Sequence, residues 1–421
     1  MWRPVLPKAA ENQETARRSK RDAVLDQAAA HLNARGISQT SLSRIAASLG
    51  VSRAALYYYV EDREDLVFQC YRRACETMAR DLSAAAKAPG TGLERLLAFV
   101  ERALDTERPE PAVLSEIAYL DSPQRETIEA LHEGNLGQLV RLIEAARADG
   151  SLRDCHPLVV AQAVIGMISW IPLAPRWSGE TGDSIRTQAR EGVRILLTDG
   201  IATDPATALG YMPLDIDVLR PERGGAFDRE AVAAMKLEEL LRAASRLFNR
   251  KGVEATSIDE VAAEVGATKG VVYHYLADKP DLVARCYRRA FDMADRVLKA
   301  VERANGSGVE RSLQGLRLLV EINLRDEFCP LAPLAGFEAL PDNARKALAE
   351  QVRGTETGFP DVARDGVADG TVRDVDLQAV AIAMAGAFGW LHKWYAPHIV
   401  PSEAVIDEHV RLMACGLRRR P

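Results

Sequence analysis

The sequence predicts an all-α chain built from two tandem modules, and three observations carry that prediction. First, residues 36–74 and 252–290 repeat without a gap at an offset of 216. Gly36 pairs with Gly252, Thr40-Ser41 with Thr256-Ser257, Gly50 with Gly266, Tyr57 with Tyr273 and Cys70-Tyr71-Arg72-Arg73-Ala74 with Cys286-Tyr287-Arg288-Arg289-Ala290. Second, the repeat resumes at offset 220, where Gly150-Ser151-Leu152-Arg153-Asp154 matches Gly370-Thr371-Val372-Arg373-Asp374 and Gly166 and Trp170 match Gly386 and Trp390. A whole module has therefore been doubled, which suits 421 residues, too many for one core. Third, apolar residues recur at helical spacing and no run alternates as a strand does.

Residues 1–15 read as irregular, followed by a basic arm, Arg17-Arg18 and Lys20-Arg21. Val24, Ala28 and Leu32, matched by Leu240, Ala244 and Phe248, mark the buried face of a first helix that Gly36 and Gly252 stop. A short second helix buries Leu42, Ile45, Ala46 and Leu49, or Ile258, Val261, Ala262 and Val265; Ser257 and Glu260 have capping-box spacing. Gly50 and Gly266 turn the chain, and Ser52 and Thr268 are placed to cap a third helix. Leu56 and Val60, or Val272 and Leu276, fix that helix inward, leaving Arg53, Ala54, Tyr57 and Tyr58 outward. Longer helices follow from Glu64 to about Ala86 and from Pro280 to about Val301, and residues 91–200 and 306–418 continue in helical pattern. The expected boundaries are 16–64 and 228–280 for two helix-turn-helix heads, 65–200 and 281–418 for two helical domains, and 201–227 for a linker rich in Pro, Gly and Asp.

Composition excludes several classes. No apolar run reaches the ~18 residues a membrane helix needs, and the start lacks a signal segment, so a cytoplasmic chain with no membrane partner is expected. The six cysteines form no C-x-x-C pair, and the seven histidines form no metal motif. No G-x-S-x-G, Walker loop or dinucleotide fingerprint is present, so neither an enzyme nor a cofactor or metal is expected. The net charge of −6 conceals its distribution. Residues 1–80 carry 13 basic against 9 acidic groups, whereas residues 228–296 carry 12 of each.

The order Thr-Ser, Ile-Ala-Ala, Leu-Gly-Val, then Leu56-Tyr57-Tyr58-Tyr59-Val60, resembles the TetR family of bacterial regulators. The second copy matches through Thr256-Ser257, Val261-Ala262, Val265-Gly266, Val272-Tyr273-His274-Tyr275-Leu276 and Asp278-Lys279. The resemblance implies a ligand-responsive regulator, a repressor, whose partner is a double-stranded DNA operator. It implies base contacts from Arg53, Ala54, Ala55 and Tyr57, and phosphate contacts from Ser41, Tyr58, Tyr59 and Arg63, with Arg44 and Ser52 at the same face. The second set is Lys269, Gly270, Val271 and Tyr273 for bases and Ser257, His274, Tyr275 and Lys279 for phosphates, with Thr268 beside them. The unlike sets predict an operator of two unlike half-sites. Asp259, Glu260 and Glu264 crowd the second head, so the alternative is a chain in which one or both heads have lost DNA and which binds a partner or sequesters a ligand.

The resemblance also implies a small apolar or amphipathic effector, with an acyl or acyl-CoA-like compound among the candidates. Its pocket is expected at Leu97, Val100, Leu104, Ile117, Leu120, Met167 and Trp170, and at Leu319, Ile322, Phe337, Met384, Phe388 and Trp390; plain bundle core is the competing reading. Helices at 157–173, 184–198, 376–393 and 402–417 correspond to the family's dimerisation bundle. They are expected to pair within the chain as an intramolecular pseudo-dimer, with a homodimer as the rival.

Overall fold

A computed structural model describes residues 8–178, 182–220, 229–334 and 336–420 of the chain. The first module runs α1 (Lys8–Arg35), α2 (Leu42–Ser48), α3 (Arg53–Leu56), α4 (Arg63–Ala86), α5 (Gly92–Ala103), α6 (Ser122–Ala148), α7 (Pro157–Trp170), α8 (Pro175–Ser178) and α9 (Gly182–Thr198). After the short α10 (Pro205–Ala208), the second runs α11 (Arg229–Lys251), α12 (Ile258–Glu264), α13 (Lys269–Tyr275), α14 (Lys279–Arg303), α15 (Gly308–Leu324), α16 (Asp342–Ala368), α17 (Leu377–Gly389), α18 (Leu391–Trp394) and α19 (Ser402–Cys415). Among the described residues there is no strand, only two isolated bridges.

Two segments expected to be irregular are ordered. Helix α1 begins at Lys8, because residues 8–21 contain neither Gly nor Pro and are rich in Ala, Glu, Gln and Arg, which lose little freedom in a helix. Residues 1–7 lie outside the described residues. The expected linker, 201–227, is docked as far as Arg220. Asp204 caps α10, and Ile216 and Leu219 bury themselves beside Met293, Val297 and Leu318 of the second module. Apolar residues inside a Pro- and Gly-rich run outweighed its composition; residues 221–228 lie outside the described residues.

The modules meet along α7 and α9 of the first and α17 and α19 of the second. Helices α7 and α17 cross at Gly166 and Gly386. A Cβ on Gly166 would lie 2.6 Å from the Gly386 carbonyl oxygen, and one on Gly386 would lie 2.7 Å from that of Gly166. Only paired glycines let the backbones approach so closely. The seam continues with the same local symmetry. The Arg153 amide donates to Leu417 O (2.8 Å) and that of Arg373 to Ile201 O (2.8 Å), flanked by bridges between Leu152 and Arg418 and between Ala202 and Val372. The symmetry is broken at Arg153, whose guanidinium also pairs with Glu408 at 2.6 Å; the position matched to Glu408 is Gly192.

Each head is gripped by its own module and touched by the other. Asn33 donates to Pro111 O (2.9 Å) and accepts from the Val113 amide (3.0 Å), and Asn249 repeats this with Pro330 O (2.8 Å) and the Ala332 amide (2.9 Å). Across the seam, the Glu338 carboxylate lies against Gly36, and Glu116 lies against Gly252 and accepts from the Glu254 amide at 3.1 Å. Both glycines have positive φ, 66° and 87°, so a side chain there would be strained and would also strike the carboxylate. Arg176 caps the end of α1 through Leu32 O (2.9 Å) and Asn33 O and pairs with Glu338 (3.2 Å). Lys393 caps α11 at Asn249 O (3.0 Å) and also donates to Ser115 O (2.5 Å).

These charges are buried. Burial, then the Glu338 charge, pushes the Glu116 carboxyl up from 4.5 to about 7, and burial takes Lys393 down to about 8. Between about pH 4.5 and about 7 the native state therefore holds the Glu116 proton more tightly than the unfolded chain does. Its contribution to stability is greatest below this window and falls as pH rises through it. Urea midpoints at about pH 5 and about pH 7 should show a smaller loss for Glu116→Gln than for wild type.

Candidate nucleic-acid interface

Each head is a three-helix unit whose last helix is short and outward. In the first, Ser41 caps α2 through the Arg44 amide (3.3 Å), and Ser52 caps α3 through the Ala55 amide (3.2 Å). Leu56 and Val60 are buried, which turns Arg53, Ala54, Tyr57 and Tyr58 to solvent, with Tyr58 78% exposed. The Arg53 guanidinium donates to the Tyr57 hydroxyl (2.8 Å) and lies 5.6 Å from the centre of its ring. Two of the expected base-contacting side chains thus hold each other in place. Arg44 donates to Gln39 O (3.0 Å) at the same face.

Two residues of the first set are less available. Tyr59 is half-buried against the head's core. Arg63 donates to the Tyr119 hydroxyl (2.9 Å) and lies 5.5 Å from its ring centre, so it faces the helical domain. Arg63 thus makes a head-to-body link, to a partner 56 residues distant that local pattern does not reveal. Of the basic arm, Arg21 is held by Gln69 of α4 (2.8 Å).

The second head repeats the geometry with different electrostatics. Ser257 and Glu260 form the expected capping box. The Glu260 carboxyl is held down at about 2 by Lys251, then by the Ser257 backbone. Thr268 occupies the cap position in extended conformation but makes no side-chain cap bond, so it does not serve as predicted. Helix α13 extends to Tyr275 without it, where α3 ends at Leu56. Lys269, Gly270, Val271, Tyr273 and His274 are exposed, Tyr275 is half-buried and its ring centre lies 5.2 Å from that of His274. Lys269 is paired with Asp259 at 3.0 Å, Arg246 with Glu264 at 2.9 Å, and Lys279 reaches Glu254 O at 3.5 Å. The acidic groups of the second helix thus take up basic groups of their own head.

A model of bacterial regulatory proteins of the tetR family matches residues 24–70 and 240–286, and one of the tetracyclin repressor-like C-terminal domain matches 89–201 and 314–417. The chain belongs to the TetR family. Members of this family are DNA-binding, ligand-responsive regulators rather than enzymes. The TetR-type chain is 24% identical over 202 residues to the HTH-type transcriptional repressor KstR2 of Mycolicibacterium smegmatis, covering 45% of this chain and 94% of that protein. It is 38% identical over 58 residues to the Transposon Tn10 TetC protein of Escherichia coli, covering 14% of this chain and only 29% of that protein. Among solved structures, a TetR-family regulator from Bordetella parapertussis aligns at 23% identity over 42% of this chain and 93% of its own, with a TM-score of 0.37. PfmR from Thermus thermophilus aligns at 24% over 43% and 99%, with a TM-score of 0.36.

The two TetR-type helical domains differ inside. The second holds a cavity of about 490 Å³ lined by Leu319, Ile322, Met384 and Phe388 together with Trp170 and Trp177 of the first module. The first encloses about 100 Å³, ringed by Asp81, Arg102, Arg108 and Arg186, with Leu104 and Trp390 in its wall. The tryptophans are exchanged: helices crossing at Gly166 and Gly386 carry Trp170 into the second cavity and Trp390 into the first. Leu97, Val100 and Met167 belong to the packed core, and Ile117 and Leu120 pack under the first head. The Phe337 ring lies tilted against that of Trp177 and is not part of the cavity lining. Trp177 and Arg176 were missed; their signal was the match of Arg176-Trp177 to Lys393-Trp394 at offset 217.

The caps give a direct comparison of the heads. Ser52→Ala should destabilise the first head by about 1 kcal/mol in urea unfolding, and Thr268→Ala should cost the second markedly less, since no cap bond is lost.

Proposed function

We propose that the chain is a ligand-responsive transcriptional repressor that lays both heads of one chain on an operator with two unlike half-sites. The observation that carries this reading is the pair of outward helices, α3 and α13, held on either side of one intrachain seam with different exposed side chains. Arg53 offers a planar fork that can take both acceptors of a guanine, braced by Tyr57. Lys269 offers a single ammonium, and Asp259 already occupies it. The first half-site is therefore read more sharply and the second bound more weakly.

Gel-shift and footprinting against the chain's own upstream region test the reading. Arg53→Ala should cost about 1–3 kcal/mol of operator binding and relax specificity in one half-site only. A symmetric palindrome protected equally on both sides by one chain would overturn it. The Lys269–Asp259 pair favours a second reading, in which the second head contributes little to affinity. Asp259→Asn frees Lys269 and removes a negative charge near phosphate, so it should tighten operator binding and steepen its salt dependence. No change in either quantity would show that the second head is disengaged.

A further inference from the structure

The two domains have not kept equivalent interiors, and matched positions show why. Leu96, Ile143 and Ile165 of the first domain are fully buried. Their counterparts are Ser312, Ala363 and Ala385, all three in the wall of the second cavity, and Pro360 stands where the first domain has Val140. Larger residues at Leu319 and Phe388, matched to Ala103 and Ile168, refill only part of the space.

The cavity interior is apolar in effect. Ser312 donates to Gly308 O (2.8 Å), and Asn323 donates to Leu319 O (2.7 Å) while meeting His392 at 2.8 Å, so their polar groups are already engaged. The exposed lining residues Arg353 and Thr357 mark the opening. A ligand with a long or fused apolar body and an anionic end beside Arg353 suits this arrangement.

One wall leads to the other module's head. The Trp177 ring lies 5.1 Å from Tyr287, 5.4 Å from Phe291 and 3.9 Å from Phe337, and its indole donates to Pro333 O at 3.2 Å. Its neighbour Arg176 holds the carbonyls that end α1 and the Glu338 carboxylate that lies on Gly36. The second module's own head is reached through α14, whose Ala290, Phe291 and Ala294 line the same cavity. We propose that the second module's cavity is the single effector site of the chain, and that one amphipathic ligand there acts on both heads, on the second through α14 and on the first through Trp177 and Arg176. The proposal rests on the ligand-responsive reading above and adds the site's number and its route.

The test uses the full chain and cis-parinaric acid, a fluorescent long-chain fatty acid. Titration should saturate at one probe per chain. Ala363→Ile with Ala385→Ile, which writes the first domain's residues into the second, should abolish binding while leaving the circular dichroism unchanged; Ile143→Ala should leave the stoichiometry at one. Two probes per chain, none, or unaltered binding by the filled variant would overturn the site. In wild type the probe should weaken operator binding about tenfold and alter amide exchange at residues 32–37 and 248–253. In Arg176→Met, a change outside the cavity lining, it should still bind and still alter 248–253 but leave 32–37 unchanged. A response at 32–37 that survives in Arg176→Met overturns the route alone and leaves the repressor reading standing. Probe binding with no change in operator affinity overturns the ligand-responsive reading and the inference with it.

Discussion

The close crossing of α7 and α17 at Gly166 and Gly386 is the constraint from which the arrangement follows. Two helices whose backbones touch at one point have little freedom left in angle or depth, and side chains on either side are committed to fixed partners. Trp170 and Trp390, one turn further on, must then enter the opposite domain. The bridges at Leu152–Arg418 and Ala202–Val372 close both ends of the seam, and residues 203–220 extend it. The positions of α3 and α13 relative to each other follow from this crossing.

Beneath the heads lies a second layer of constraint. Arg176 and Lys393 take the place of capping water at the ends of α1 and α11, while Glu338 and Glu116 reach across to the turns that follow. A buried ion that loses its partner is costly, so these groups oppose small displacements of head against body more firmly than apolar contacts would. The two clamps are alike in layout but not in chemistry, an Arg forked over three acceptors on one side and a Lys on the other.

The doubling, the helical class, the three-helix heads and their outward side chains were legible because each rests on local pattern: a repeat offset, apolar spacing, capping residues and glycine stops. What the sequence concealed depends on distant partners. Arg63 looked like a free cation at a helix start, and only the fold brings Tyr119 to it. Trp170 and Trp390 were recognised as pocket residues but assigned to their own modules, since nothing local announces a crossing that exchanges them. The cavity's one-sidedness was present in the matched positions, Leu96 against Ser312 and Ile143 against Ala363, yet a difference in volume acquires meaning only when the surrounding helices are in place. The helix over residues 8–21 was overlooked for the opposite reason, an apolar face too weak to register despite favourable composition.

Because the seam joins two halves of one polypeptide, each position in it is encoded once. In a symmetric pair of identical chains a substitution appears on both sides of the axis and must suit both; here Glu408 stands opposite Arg153 while Gly192 holds the matching place on the other side. The same freedom extends to the heads and the interiors. Covalent fusion thus uncouples the inheritance of the two halves while keeping their assembly independent of chain concentration, so one half can be altered without its mirror image being altered with it.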